Sequence, residues 1–267
     1  MENSIEQEIT FEMLEQNELK KICDFFSDIL PEEEILKQAR ENIKRVLFEN
    51  LKDGYLANYN FETREITIST KLDEDSRKVA MIHEMLHAIT NRNSTSKGFK
   101  RVNPTDGITR KGIGMDEAIT EEMAQRISGI KRDRNYEIER MMLDLFSAAI
   151  GEEFFIKDYL LGTNFVEKEM RKQYNEQVLL LYEKANFYID ALTLSGLNEC
   201  HIKEDDDNYE KQIRVIKVIR ENVASNLPTE AQLFTNECKR IKREKRKAYD
   251  YKLLIDLLKK QSDNLER

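Results

Sequence analysis

Within Met81-Ile82-His83-Glu84-Met85-Leu86-His87, two of the chain's three histidines stand four residues apart, and Glu84 directly follows the first. On a helix, positions i and i+4 share one face, so both imidazoles can reach a single ion. The flanking pattern supplies that helix. From Asp73 to Asn91, Val79, Ile82, Leu86 and Ile89 recur at spacings of three and four, which predicts a buried stripe. The histidines fall beside the stripe, at the edge of a core, and Glu84 lies next to their face.

This spacing is the H-E-x-x-H arrangement, in which two imidazoles bind zinc and the glutamate acts as a base toward water. A catalytic zinc ordinarily has three protein ligands and one open position. No third histidine is close by, so a carboxylate is the natural third ligand. Gly114-Met115-Asp116-Glu117-Ala118-Ile119-Thr120-Glu121-Glu122 opens a second predicted helix, which runs to about Ser128 and stops at Gly129. Glu117 and Glu121 lie one turn apart on one face. One of them can bind the metal while the other orients a ligand imidazole.

His83-Glu84 with His87, followed by Asp116-Glu117-Ala118-Ile119-Thr120-Glu121, resembles the gluzincins, the thermolysin-like branch of zinc peptidases. The resemblance implies a zincin-like core with His83, His87 and Glu117 as the metal ligands. It also implies Glu121 as the support of the first histidine and Glu84 as the general base. Two features depart from the family pattern: Glu replaces Asp at 121, and the insert between the helices is longer. That insert, Asn91 to Gly112, reads as a loop, with Gly98, Pro104 and Gly107 among its polar residues.

Asn135-Tyr136-Glu137, leading into the segment 139–160, is similar to the stretch after the zinc site in the alanyl-aminopeptidase and leukotriene-hydrolase family. That likeness implies Tyr136 as the donor to the oxyanion. The Lys-Gly half of the family element is replaced by Ile138-Glu139. His201, before the acidic run Glu204-Asp205-Asp206-Asp207, is the rival donor. The aminopeptidase element Gly-x-Met-Glu-Asn is absent upstream of His83, which leans toward endopeptidase action.

A hairpin is expected ahead of the first histidine. Tyr55 to Tyr59 alternates, 60–63 turns, and Glu65-Ile66-Thr67-Ile68-Ser69 alternates again. An edge strand here could pair with an extended peptide. The predicted architecture is α+β and mostly helical. It has an N-terminal helical segment over 1–52, a zincin-like core over 53–165 and a helical region over 166–267. In the first part Leu19, Ile22, Phe25 and Phe26 form a stripe, and Pro31 starts a helix. In the last, Val178, Leu181, Ala185 and Ile189 mark one helix. Tyr209, Ile213, Ile216 and Val223 mark another, which ends near Pro228. This tail reads either as a cap closing one wall of a cleft or as a separate bundle.

Composition sets the surroundings. Charged residues make up 35% of the chain and the formal net charge is −8, against 40% hydrophobic residues, so a core can form under a heavily charged exterior. Lys239 to Lys247 holds seven bases and one acid. With apolar residues interleaved and following, it reads as the wet side of a packed helix rather than a nucleic-acid contact. Cys23, Cys200 and Cys238 are odd in number and widely spaced, with no disulfide framework, which suits a cytoplasmic protein. The polar, acidic start is no signal peptide, and no apolar run is long enough for a membrane. The expected function is therefore zinc-dependent hydrolysis of a peptide or protein substrate. The alternative is a catalytically weak or inactive metal-binding regulatory protein.

Overall fold

The computed structural model describes residues 11–51, 56–91, 96–102, 109–131, 136–201 and 208–265. The chain opens with α1 (Phe11–Leu14), a π-helical turn (Glu15–Leu19), α2 (Lys20–Phe26) and α3 (Glu32–Asn42). Pro31 stands directly before α3, whose first turn carries Glu32, Glu33 and Glu34, the charge a helix N-terminus favours. Leu19, Ile22 and Phe26 are buried as the stripe predicts, whereas Phe25 turns outward and packs edge-on against Phe26.

The segment expected to be mostly helical also contains a strand, β1 (Arg45–Glu49). With β2 (Ala57–Asn60) and β3 (Glu65–Ser69) it forms a sheet of order β1-β3-β2. β1 runs parallel to β3 and β2 antiparallel to it. The β2–β3 turn falls where expected. Asn60 Oδ1 accepts from the amides of Glu62 and Thr63 at 2.9 and 3.2 Å. Tyr55 lies outside the described residues.

The histidine helix is α4 (Glu74–Thr90). Asp73 caps it, accepting from the Ser76 amide at 2.8 Å, and Glu74 and Asp75 follow in the first turn. Val79, Ile82, Leu86 and Ile89 are all buried. Truncating one of the larger ones, such as Leu86→Ala, would cost about 2–5 kcal/mol through lost transfer energy and the cavity left behind.

The insert after α4 is not simply a loop. Its described part forms a second small antiparallel sheet of β4 (Ser96–Lys97), β5 (Lys100–Val102) and β6 (Thr109–Lys111). Strands of two or three residues leave no alternation to read, and the intervening Gly and Pro signal turns. Then come α5 (Ile113–Ser128), stopped by Gly129 at φ 72°, α6 (Glu137–Ile150), α7 (Glu152–Leu161) and α8 (Phe165–Gln173).

Two long helices close the chain, α9 (Glu176–His201) and α10 (Tyr209–Leu265). Val178, Leu181, Ala185 and Ile189 are buried. α10 does not end near Pro228 but continues through it. Pro228 and Ala224, whose carbonyl loses its helical partner to the proline, are both exposed, so water can satisfy that carbonyl. The tail packs directly on the rest of the molecule. Phe146 of α6 meets Tyr182 of α9 and Phe234 of α10 edge-on, with centroids 4.8 and 5.0 Å apart. Two lysines of the exposed basic block reach across to other helices. Lys242 donates to the Ala149 carbonyl at 3.0 Å, and Lys245 donates to that of Gln173, so both cap helix C-termini. Arg240 pairs with Glu237 and Glu244. Cys23 and Cys238 are buried and not joined in a disulfide. No helix among the described residues is long and apolar enough to cross a membrane.

Candidate metal centre

α4 and α5 pack side by side and bring the motif residues together. The Nε2 atoms of His83 and His87 lie 3.1 Å apart, and Oε2 of Glu117 lies 3.3 Å from each. His83 and Glu117 are buried, and His87 is partly so. Each imidazole has its other nitrogen on a carboxylate. His83 Nδ1 lies 3.0 Å from Glu121 Oε2, and His87 Nδ1 lies 3.2 Å from Asp116 Oδ2. A carboxylate accepts, so in each neutral ring Nδ1 carries the hydrogen and Nε2 a lone pair. Two nitrogen lone pairs and a carboxylate oxygen then face one point.

Three such donors repel unless a cation lies between them. The spacing fits one: a tetrahedral ion with ligand bonds of about 2.0–2.1 Å has ligand–ligand edges of about 3.3–3.4 Å. The observed edges are 3.1, 3.3 and 3.3 Å. Two imidazoles and a carboxylate are a donor set suited to zinc, and no described cysteine closes the site as in structural centres.

Without a metal, the same contacts favour a proton on the rings. Burial would lower the His83 pKa, but its bonds to Glu117 and Glu121 and the charge of Glu84 outweigh that and raise it to about 10. For His87, burial and the Lys100 charge pull down, while Glu117 and Asp116 prevail and the net shift is upward. Burial would raise the Glu117 carboxyl, yet Lys100 and the two histidines hold it well below its usual range. The pocket thus stabilises positive charge strongly at the imidazoles.

Glu84, on the same helix, is buried beside His83. Among the described residues, none hydrogen-bonds its carboxylate. Tyr136 stands just before α6 at φ 52°, a left-handed conformation uncommon outside glycine and costing on the order of 1–2 kcal/mol. Its ring stacks on His83 at 6.2 Å between centroids with 17° between planes, which sets it beside the ligand cluster. Burial, then the charges of Glu117 and Glu84, raise its pKa well above 10.0, so it remains a donor. His201 is the last residue of α9, and its side chain lies outside the described residues.

Sequence reasoning missed two residues here. Asp116 holds His87, although it stands directly before Glu117 in the chain; only the turn of α5 against α4 reveals which ring it serves. Lys100 of β5 lies 3.1 Å from Asp116 Oδ2 and 2.9 Å from Glu117 Oε1. A single lysine in a polar insert carries no spacing signal.

One further contact fixes the helix that bears three of these acids. Gly112 precedes α5 at φ 84° and has no side chain with which to cap it. Asp190 of α9 supplies the cap, accepting from the amides of Gly112 and Gly114 at 2.9 Å each. α9 passes so close that a Cβ on Gly114 would lie 2.4 Å from Ile189 Cγ2.

Comparison with known proteins adds no relative: no protein-family model, no curated protein and no solved structure matches this chain.

Proposed function

We propose that this chain is a zinc-dependent peptidase of the thermolysin-like gluzincin type, built on a zincin-like core and acting as an endopeptidase. The observation that carries the reading is the convergence of His83 Nε2, His87 Nε2 and Glu117 Oε2, with Glu84 alongside. A zinc ion held by these three residues would supply Lewis acidity to a substrate carbonyl and to water. His83 and His87 hold their tautomers through Glu121 and Asp116. Glu84 takes the proton from the attacking water and passes it to the departing amine. The Tyr136 hydroxyl donates to the substrate oxygen as negative charge develops there. β2 is an edge strand of the first sheet, with backbone groups to offer an extended peptide.

The test compares wild type with Glu84→Gln. The wild type should retain zinc and cleave members of a peptide library. The variant should keep zinc and fold but lose cleavage, because an amide cannot accept the proton. Cleavage by Glu84→Gln near the wild-type rate would remove Glu84 as the base. A wild type that holds zinc but cuts nothing would favour the metal-binding regulatory alternative.

A further inference from the structure

We propose that Lys100 confines Glu117 to ligation through one oxygen, so that a coordination position of the metal stays open for substrate. This inference rests on the metal reading above. Residues 116 and 117 are neighbours on a helix, where successive side chains diverge by about 100°. Their carboxylates nevertheless meet one ammonium, with Nζ 3.1 Å from Asp116 Oδ2 and 2.9 Å from Glu117 Oε1. Glu117 is thereby split in function: Oε2 faces both imidazoles at 3.3 Å, while Oε1 is drawn to Lys100. A carboxylate with one oxygen drawn aside in this way presents its other oxygen to the ion.

The lysine is positioned by more than its charge. It follows the tight turn between β4 and β5, in which Lys97 pairs with Lys100. The Gly98 amide donates to the Thr90 carbonyl at the end of α4, at 3.2 Å. The Phe99 amide donates to Asp116 Oδ1 at 2.8 Å. Gly98 has φ 60°, and a Cβ there would lie 2.1 Å from Asp116 Oδ1. The turn therefore bridges the end of one ligand helix and the first turns of the other, and it delivers the ammonium between them. It also couples the two carboxylates, since Asp116 orients His87 while Glu117 binds the ion.

The experiment reads coordination rather than turnover. X-ray absorption of the zinc-loaded wild type should show a single carboxylate oxygen at bonding distance; a two-oxygen Glu117 would overturn the proposal. The cobalt(II)-substituted wild type should give the intense visible absorption of a four-coordinate site. Lys100→Met should lose that intensity as the freed Oε1 joins the ion, and Lys100→Arg should restore it. A Lys100→Met spectrum that matches wild type would overturn the assignment, even with weaker cobalt affinity, because a merely structural lysine would change affinity alone. If Lys100→Met does not fold, the wild-type absorption measurement still decides. A wild type that binds neither metal defeats the metal reading itself and this inference with it.

Discussion

Glu121 Oε2 lies 3.0 Å from Nδ1 of His83, one α5 turn beyond the carboxylate that faces the same ring's Nε2. Glu121 is almost completely buried and also accepts from the Gln125 amide at 2.8 Å, so its orientation is fixed from two sides. Glu121→Ala should weaken zinc binding by about 10–100-fold, the usual cost of losing such a support. Competition with a chelator of known affinity reads the change. Undiminished affinity would show that His83 needs no help to present Nε2.

Asp116→Asn tests the other imidazole. The amide oxygen can still accept, but the charge that stabilises His87 and Lys100 is gone. We expect a loss of zinc affinity within the same 10–100-fold range, with the circular dichroism of the apoprotein unchanged. If Asp116→Asn binds zinc like wild type, the Asp116–His87 contact is incidental.

Removal of the third ligand should be more severe. Glu117→Ala leaves two imidazoles without the third donor, and Lys100 facing Asp116. Metal analysis after gel filtration should find little zinc, and full occupancy would exclude Glu117 as a ligand.

Tyr136→Phe keeps the ring that stacks on His83 but deletes the hydroxyl. Turnover should fall by about 10²–10³, or about 2.7–4 kcal/mol of barrier, with zinc content unchanged. Turnover within a few-fold of wild type would leave the hydroxyl with no part in the reaction.

Glu139 of α6 gives a pH prediction on a residue outside the ligand set. Burial, with a smaller contribution from the charge of Glu117, raises its carboxyl above the ordinary 4.5, against the lowering effect of its own amide and of the Thr193 hydroxyl, which donates to it at 2.8 Å. The folded chain therefore holds this proton more tightly than the unfolded chain. The stability contributed is complete below about 4.5 and is lost as pH rises through the folded value. Glu139→Gln cannot ionise, so urea melts from about pH 4 to 7 should show the variant gaining on wild type as pH rises. Every tenfold difference in proton affinity between the folded and unfolded chain is worth about 1.4 kcal/mol. A stability difference that stays flat with pH would contradict this.

Legibility in the sequence followed the range of the interactions. His83, Glu84, His87, Glu117 and Glu121 could be read because each pair lies within about a turn of helix and the residue types have a shared chemistry. The α4 boundaries were visible in Asp73 and the apolar stripe. Asp116 and Lys100 could not be assigned, since their partners depend on how a hairpin docks on two helices. β1 was hidden because Val46, Leu47 and Phe48 are all buried or nearly so, and a strand covered on both faces shows no alternation. The continuation of α10 past Pro228 was hidden because the proline's penalty depends on exposure, which the sequence does not show.

The Asp190 contact has a consequence for the order in which this molecule is made. The amides it satisfies belong to residues 78 and 76 positions earlier in the chain. A ribosome adding roughly 5–20 residues per second needs on the order of four to fifteen seconds to cover that interval. For nearly all of it, both histidines and Glu117 have been synthesised while the start of α5 lacks the Asp190 cap. The nascent chain therefore carries every candidate ligand well before the residue that caps α5 exists.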